Sequence, residues 1–144
     1  MKITLKIGDD IVVQDATDNG VFESFTYKLN SIQDDLEERD EKARNEFTFT
    51  GKITNENSAS LYKILLWSME RENTRRTIEI KVVDSVNNKD KALRIFKFSE
   101  VFCIDYSETY SKENKSKTKF ELFLAQSPQG KKHEVTTEIT DDID

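Results

Sequence analysis

Thr77-Ile78-Glu79-Ile80-Lys81-Val82-Val83 is followed by a polar stretch, then Ile95-Phe96-Lys97-Phe98, then Val101-Phe102-Cys103-Ile104-Asp105-Tyr106-Ser107. Reading these segments decides the fold class. Ile78, Ile80 and Val82 alternate with the charged Glu79 and Lys81. A period of two puts apolar side chains on one face of a strand and charges on the other. Residues 84–90, rich in Asp, Asn and Ser, read as a turn, and residues 92–98 as the return strand of a hairpin. After Ser99-Glu100 a long strand is expected over 101–110.

The same alternation extends in both directions. Phe120, Leu122 and Leu124 share one face of a strand over 117–125. Towards the start, Phe47, Phe49, Gly51 and Ile53 mark a strand, and Phe25, Tyr27 and Leu29 mark another over 21–30. Ile3, Leu5 and Ile7 alternate with Lys2, Thr4 and Lys6; Gly8-Asp9-Asp10 turns the chain into Ile11-Val12-Val13. One segment has helical spacing instead. Leu61, Ile64, Leu65 and Ser68 share a face, Tyr62, Leu66 and Met69 widen it, and Trp67 falls outside both rows. A helix is predicted over about 58–70, capped by Asn57 or Ser58. So wide a stripe predicts cover on more than one side of the helix. The order is four strands, one helix, four strands. The fold class is mainly β: an antiparallel β-barrel or two-sheet sandwich of about eight strands with one α-helix.

Residues 1–125 read as a single domain, and 126–144 as an acidic tail too poor in large apolar residues to order itself. Val135 and Ile139 could add a strand to a neighbour. The chain has 144 residues, a formal charge of −6 and one cysteine, Cys103. The charge argues against a broad nucleic-acid surface. A lone cysteine makes no intrachain disulfide, which fits a reducing compartment. The first residues lack the apolar core of a secretory leader, and no apolar run is long enough to insert into a membrane. The expected setting is the cytoplasm, with export by a route that reads no leader left open.

Catalytic groups are sparse. His133 is the only histidine and lies in the tail beside Lys131 and Lys132, where it reads as a solvated residue. One cysteine and one distant histidine do not make a Cys/His metal site. Cys103 lies in a strand between Phe102 and Ile104 and reads as a small core residue. No phosphate loop or dinucleotide fingerprint is present. No catalytic, cofactor-binding or metal-binding residue is assigned. Arg71, Arg75 and Arg76 read as charges at the helix end. Phe47 with Phe49, and Phe96 with Phe98, read as core aromatics more readily than as a base-stacking platform. The densest charge run comprises Asp34, Asp35, Leu36, Glu37, Glu38, Arg39, Asp40, Glu41, Lys42 and Arg44. It lacks the glycine and the spacing of a calcium loop. Two readings stand: a solvated loop, or an intersubunit loop whose mixed charges meet a neighbour.

Ser60-Leu61-Tyr62-Lys63 opens the helix, and Phe120-Glu121-Leu122-Phe123-Leu124-Ala125 closes the domain. With the strands quoted at the outset, their order resembles the haemolysin-coregulated protein (Hcp) family. These are the tube proteins of type VI secretion systems, similar in fold to contractile phage tail-tube proteins. The resemblance covers about residues 20–125. It rests on the order of elements, and it departs from the family in low glycine content and an acidic tail. It implies a homo-oligomeric ring, a hexamer, stacked into a tube inside a contractile sheath, with sheath, spike or effector proteins as partners. The run Asp34–Arg44 would then be an inter-ring loop, a carry-over by position alone. The competing expectation is a monomeric β-barrel that binds a small molecule. An enzyme built on paired carboxylates has least support.

Overall fold

The computed structural model describes residues 1–15, 20–31, 43–70, 74–126 and 133–137. The strands are β1 (Lys2–Ile7), β2 (Ile11–Gln14), β3 (Phe22–Ser31), β4 (Ala43–Lys52), β5 (Arg76–Val86), β6 (Lys89–Thr109), β7 (Lys119–Gln126) and β8 (His133–Thr136). One helix, α1 (Ser58–Met69), separates β4 from β5. The fold is mainly β with one helix. All strands pair antiparallel in a single sheet ordered β2-β1-β5-β6-β7-β4-β3, with β8 beside β6.

The hydrogen-bonded path does not close, because β2 and β3 are its two ends. The sheet instead curls until β3 lies over β6. Phe25 and Tyr27 meet Phe96 at ring distances of 5.4 and 5.3 Å. Asp15 ties the two margins together. Its carboxylate accepts the Ile3 N–H of β1 and the Phe22 N–H of β3, each at 2.9 Å. Inside the curl, Phe47, Phe49, Phe98, Phe120 and Trp67 are fully buried. Burial of side chains this size stabilises the fold by about 1.5–3 kcal/mol each. Gly51 is small for a reason: a Cβ there would lie 2.5 Å from the Val21 carbonyl oxygen and 2.7 Å from the Phe120 ring.

Three features differ from the sequence reading. The strands expected at 92–98 and 101–110 are one strand, β6, of 21 residues. Its register skips Leu93, shifts between Phe98 and Val101, and skips Ile104. Glu100 takes a positive φ of 57° at the middle shift. Each extra residue is a bulge, which bends a strand and increases its twist without ending it. Ser99-Glu100 therefore kinks β6 where two separate strands were expected. The hairpin turn between β5 and β6 is also tighter than 84–90. Asn87 and Asn88, with φ of 54° and 62°, make the whole turn, as left-handed residues do between twisted strands.

The second difference is the helix. Leu61, Ile64 and Trp67 are its buried residues, so Trp67 belongs to the inner face. Its indole N–H donates to the Thr74 carbonyl at 2.6 Å. The row Tyr62, Leu66 and Met69 is exposed, and the helix is covered on one side only among the described residues. Asn57 stands at the N-cap, but its side chain does not cap the helix. It reaches back instead, accepting the Thr54 N–H at 2.8 Å and donating to the Lys52 carbonyl at 2.7 Å.

The third difference lies at the two polar segments. β4 begins at Ala43, so Arg44 is a strand residue and not part of a loop. The other members of the charge run, Asp34, Asp35, Leu36, Glu37, Glu38, Arg39, Asp40, Glu41 and Lys42, lie outside the described residues. In the expected tail, His133–Thr136 pair with Phe98–Ile95 of β6 as β8. Residues 127–132 and 138–144 lie outside the described residues.

Candidate functional site: the footing of the 32–42 connection

β3 and β4 stay in register up to Ser31 opposite Ala43, and residues 32–42 span the gap between them. Strand alternation divides the residues at this end between two faces. On the inner face, Tyr27 and Asn45 sit in register with the aromatic row. The Tyr27 hydroxyl donates to Asn45 Oδ1 at 2.5 Å, Asn45 Nδ2 donates to Gln126 Oε1 at 2.9 Å, and Gln126 Nε2 donates to the Ser99 carbonyl at 2.9 Å. This relay crosses β3, β4, β7 and β6 directly above the aromatic core. Gln126 is buried, so each bond replaces one to water that burial removes.

On the other face, Glu46 lies opposite Lys28 and Arg44 opposite Asn30. Arg44 donates to Glu46 Oε2 through Nη2 at 2.7 Å and Nε at 3.0 Å, and Asn30 Nδ2 adds a third bond at 3.2 Å. Burial alone would push the Glu46 carboxyl up. The hydrogen bonds from Arg44 and Asn30, with the positive charges of Arg44 and Lys28, outweigh it and hold the group below its usual value. A carboxylate saturated in this way is a poor proton acceptor and a good strut. The footing fixes the exit of the 32–42 connection from both faces of the hairpin.

The remaining candidate residues sit elsewhere. His133 stacks on Phe98 at 5.9 Å with the rings 20° apart. Cys103 is buried, and its thiol is pushed up to about 11, first by burial and then by the nearby Asp105 charge. Such a thiol is not poised for nucleophilic attack. Arg76 joins the end of α1 to the β1–β2 turn. Its guanidinium pairs with Asp10 at 3.2 Å and Glu70 at 3.9 Å and lies 5.5 Å from the Trp67 ring. Arg75 is exposed, and Arg71 lies outside the described residues. Phe47, Phe49, Phe96 and Phe98 are core residues. Among the described residues, no group of three or more His, Cys, Asp or Glu comes together as a metal site, and no helix is long and apolar enough to cross a membrane. Sequence reasoning missed Asp15, Asn45 and Gln126. For Asn45 a signal existed: it continues the phase of Phe47 and Phe49 with a polar residue.

No family model matches the sequence, and no curated protein matches it. Solved structures do match the fold. An Hcp1 protein from Flavobacterium johnsoniae superposes over 99% of this chain and 100% of its own length, with a TM-score of 0.58 and 14% identity. A type six secretion system protein matches over 92% of this chain and 91% of its own, at 0.60 and 9%. The sheath-tube complex of an extracellular contractile injection system matches over 94% and 88%, at 0.56 and 10%. The chain has the fold shared by Hcp proteins and the tube components of contractile injection systems.

Proposed function

We propose that this chain is a structural tube protein that assembles into rings, hexameric as the resemblance implies, which stack inside a contractile injection or type VI secretion-like apparatus. The observation that carries this reading is the near-full-length likeness to both Hcp proteins and injection-system structures. Three features of the chain support it. Among the described residues the sheet ends in two strands, β2 and β3, whose outer edges a neighbouring copy can satisfy. Its outer face carries a cross-strand row of alternating charge, Lys6, Glu79, Lys97 and Glu134, which suits a water-facing wall. The 32–42 connection leaves from a rigid footing, as a segment that sets register between rings requires.

On this reading Asp34, Asp35, Leu36, Glu37, Glu38, Arg39, Asp40, Glu41 and Lys42 meet the next ring, while Arg44 anchors the connection to β4. The work of the protein is mechanical and involves no catalysed step. It is made in the cytoplasm and leaves the cell only as part of the apparatus, with sheath, spike or effector proteins as partners. The competing reading, a monomeric small-molecule barrel, needs a deep apolar cavity. Aromatic side chains fill the interior here. Two depressions among the described residues, about 750 and 650 Å³, are open clefts at the surface near Lys52, Thr54 and Glu56.

Sizing chromatography with light scattering, followed by electron microscopy, tests the proposal. Rings of six chains support it. A strict monomer at high concentration, with no rings in micrographs, overturns it. Removal of residues 34–42 behind a short glycine linker should leave the monomer folded and shorten the stacks. The excision must stop before Ala43, where β4 begins.

A further inference from the structure

β5 and β6 run past the rest of the sheet. β1 accompanies β5 only to Val83, and β8 accompanies β6 only to Ile95, whereas β5 and β6 pair on to Val86 and Lys89. Residues 84–94 form a two-stranded arm whose edges are open among the described residues. Its charges are sorted by face. Residues directly opposite each other in an antiparallel ladder share a face, and every second residue returns to it. Ile78 with Phe98 and Ile80 with Phe96 line the interior, and Val82 with Arg94, Asp84 with Lys91 and Val86 with Lys89 continue that face outwards. The cations Lys89, Lys91 and Arg94 therefore stand together on one face of the arm. Asp90, opposite Ser85, lies on the other.

The acids of the arm are already met within the chain. Lys2 holds Asp90 at 3.5 Å and the Ser85 hydroxyl donates to it at 2.8 Å. Asp84 pairs with the Met1 amine at 3.5 Å and accepts the Ser85 N–H at 3.1 Å. The cations are not met in this way. Lys89, Lys91 and Arg94 make no ion pair among the described residues. Val86 and Leu93 stand exposed beside them. A row of cations on an open edge repels a second basic edge, so the arms of two copies do not pair with each other. The same row suits an extended acidic segment. Lys89 and Lys91 are about 7 Å apart along the strand, and an added strand repeats its side chains on one face at that same spacing. Among the described strands of this chain, none carries carboxylates at two alternate positions, which favours another protein as the source of the complement.

We infer that the β6 edge of the arm, from Lys89 to Arg94, docks an extended acidic segment of a partner protein, with carboxylates at alternate positions against Lys89, Lys91 and Arg94. Main-chain pairing supplies the affinity, and the cations select the sequence. The added strand also turns a marginal ribbon of two strands into three. The edge is complete on one chain, so the docking does not rest on ring assembly.

Fluorescence anisotropy on the whole chain tests it, with the labelled peptide Glu-Thr-Glu-Thr-Glu-Thr-Glu as probe. The control is its isomer Glu-Glu-Glu-Glu-Thr-Thr-Thr, equal in charge but not in spacing. The alternating peptide should bind about tenfold more tightly than the blocked one. It should also bind about tenfold more tightly to the natural chain than to the triple variant Lys89→Glu, Lys91→Glu, Arg94→Glu. Binding should weaken at about 1 M salt, where charge pairing is screened. In hydrogen exchange the peptide should slow the amides of 89–94, and unchanged exchange of 78–82 shows that the variant keeps its sheet. Absent binding, or equal binding of the two peptides, overturns the proposal. So does binding that survives in the triple variant. So does an arm protected without peptide that loses its protection on dilution, which would assign the edge to a second copy. Sizing the same samples reads ring assembly separately.

Discussion

The two ends of the long hairpins are built in opposite ways. At the footing of the 32–42 connection, polar side chains are buried or half-buried and partnered: Tyr27, Asn45, Gln126 and the Ser99 carbonyl form one chain, and Arg44, Asn30 and Glu46 another. On the arm of β5 and β6, Lys89 and Arg94 are exposed, and they make no ion pair among the described residues. A buried polar group that loses its partner pays its full desolvation, so the footing is rigid by necessity. An exposed cation in water pays almost nothing and can await a partner. One end holds its shape through partnered side chains; the other leaves its cations to water.

That contrast is broken most severely through the core beneath the footing. Phe98→Ala removes a ring that touches Tyr27, Phe47, Phe96 and His133. Urea unfolding should register a loss of about 3–5 kcal/mol. A loss below about 1 kcal/mol would mean that the aromatic seam does not hold β3 over β6. Gly51→Ala forces a methyl group against the Val21 carbonyl and the Phe120 ring, at an expected cost of about 2–3 kcal/mol by the same assay.

Gln126→Ala removes the bonds to the Asn45 amide and the Ser99 carbonyl, for about 1–2 kcal/mol. If it proves neutral, water replaces the amide and the footing is less closed than described.

The acid limb of stability sharpens the comparison further. The Glu46 carboxyl titrates lower in the folded chain than in the unfolded one. Its contribution is therefore complete above the unfolded value and is lost as pH falls through the depressed folded value. Unfolding followed from neutral to acid pH should lose part of its slope in Glu46→Gln. An unchanged profile would show that Arg44 and Asn30 do not hold the charged form. Smallest of all, Lys91→Ala on the arm should change monomer stability by less than about 0.5 kcal/mol. A larger effect would mean that the arm is already clamped.

Much of this was legible from residue order alone. Alternation along Ile3–Ile7, Ile78–Val82 and Phe120–Leu124 identified inner and outer faces correctly, because side-chain direction in a strand depends only on counting by two. The row Leu61 and Ile64 likewise marked the inner face of the helix. The same rules could not see the bulges of β6. Ser99-Glu100 reads as a boundary between two strands, and only pairing with β5 on one side and β7 on the other keeps one strand running through it. Asn57 illustrates the same limit: its chemistry suits a helix cap, yet the chain crossing from β4 offers it nearer partners. Asn45, Gln126 and Asp15 are ordinary polar residues until partners distant in sequence close around them.

The sequence by itself determined the class of fold, the phase of most of its strands, the single helix and the separation of an apolar inside from a charged outside. These follow from short-range periodicity and the cost of burying charge. Tertiary structure alone decided the open, curled path of the sheet, the single bulged β6, the pairing of β8 and the two partly buried polar clusters. Each of these depends on hydrogen bonds between residues far apart in the chain, which no local pattern encodes.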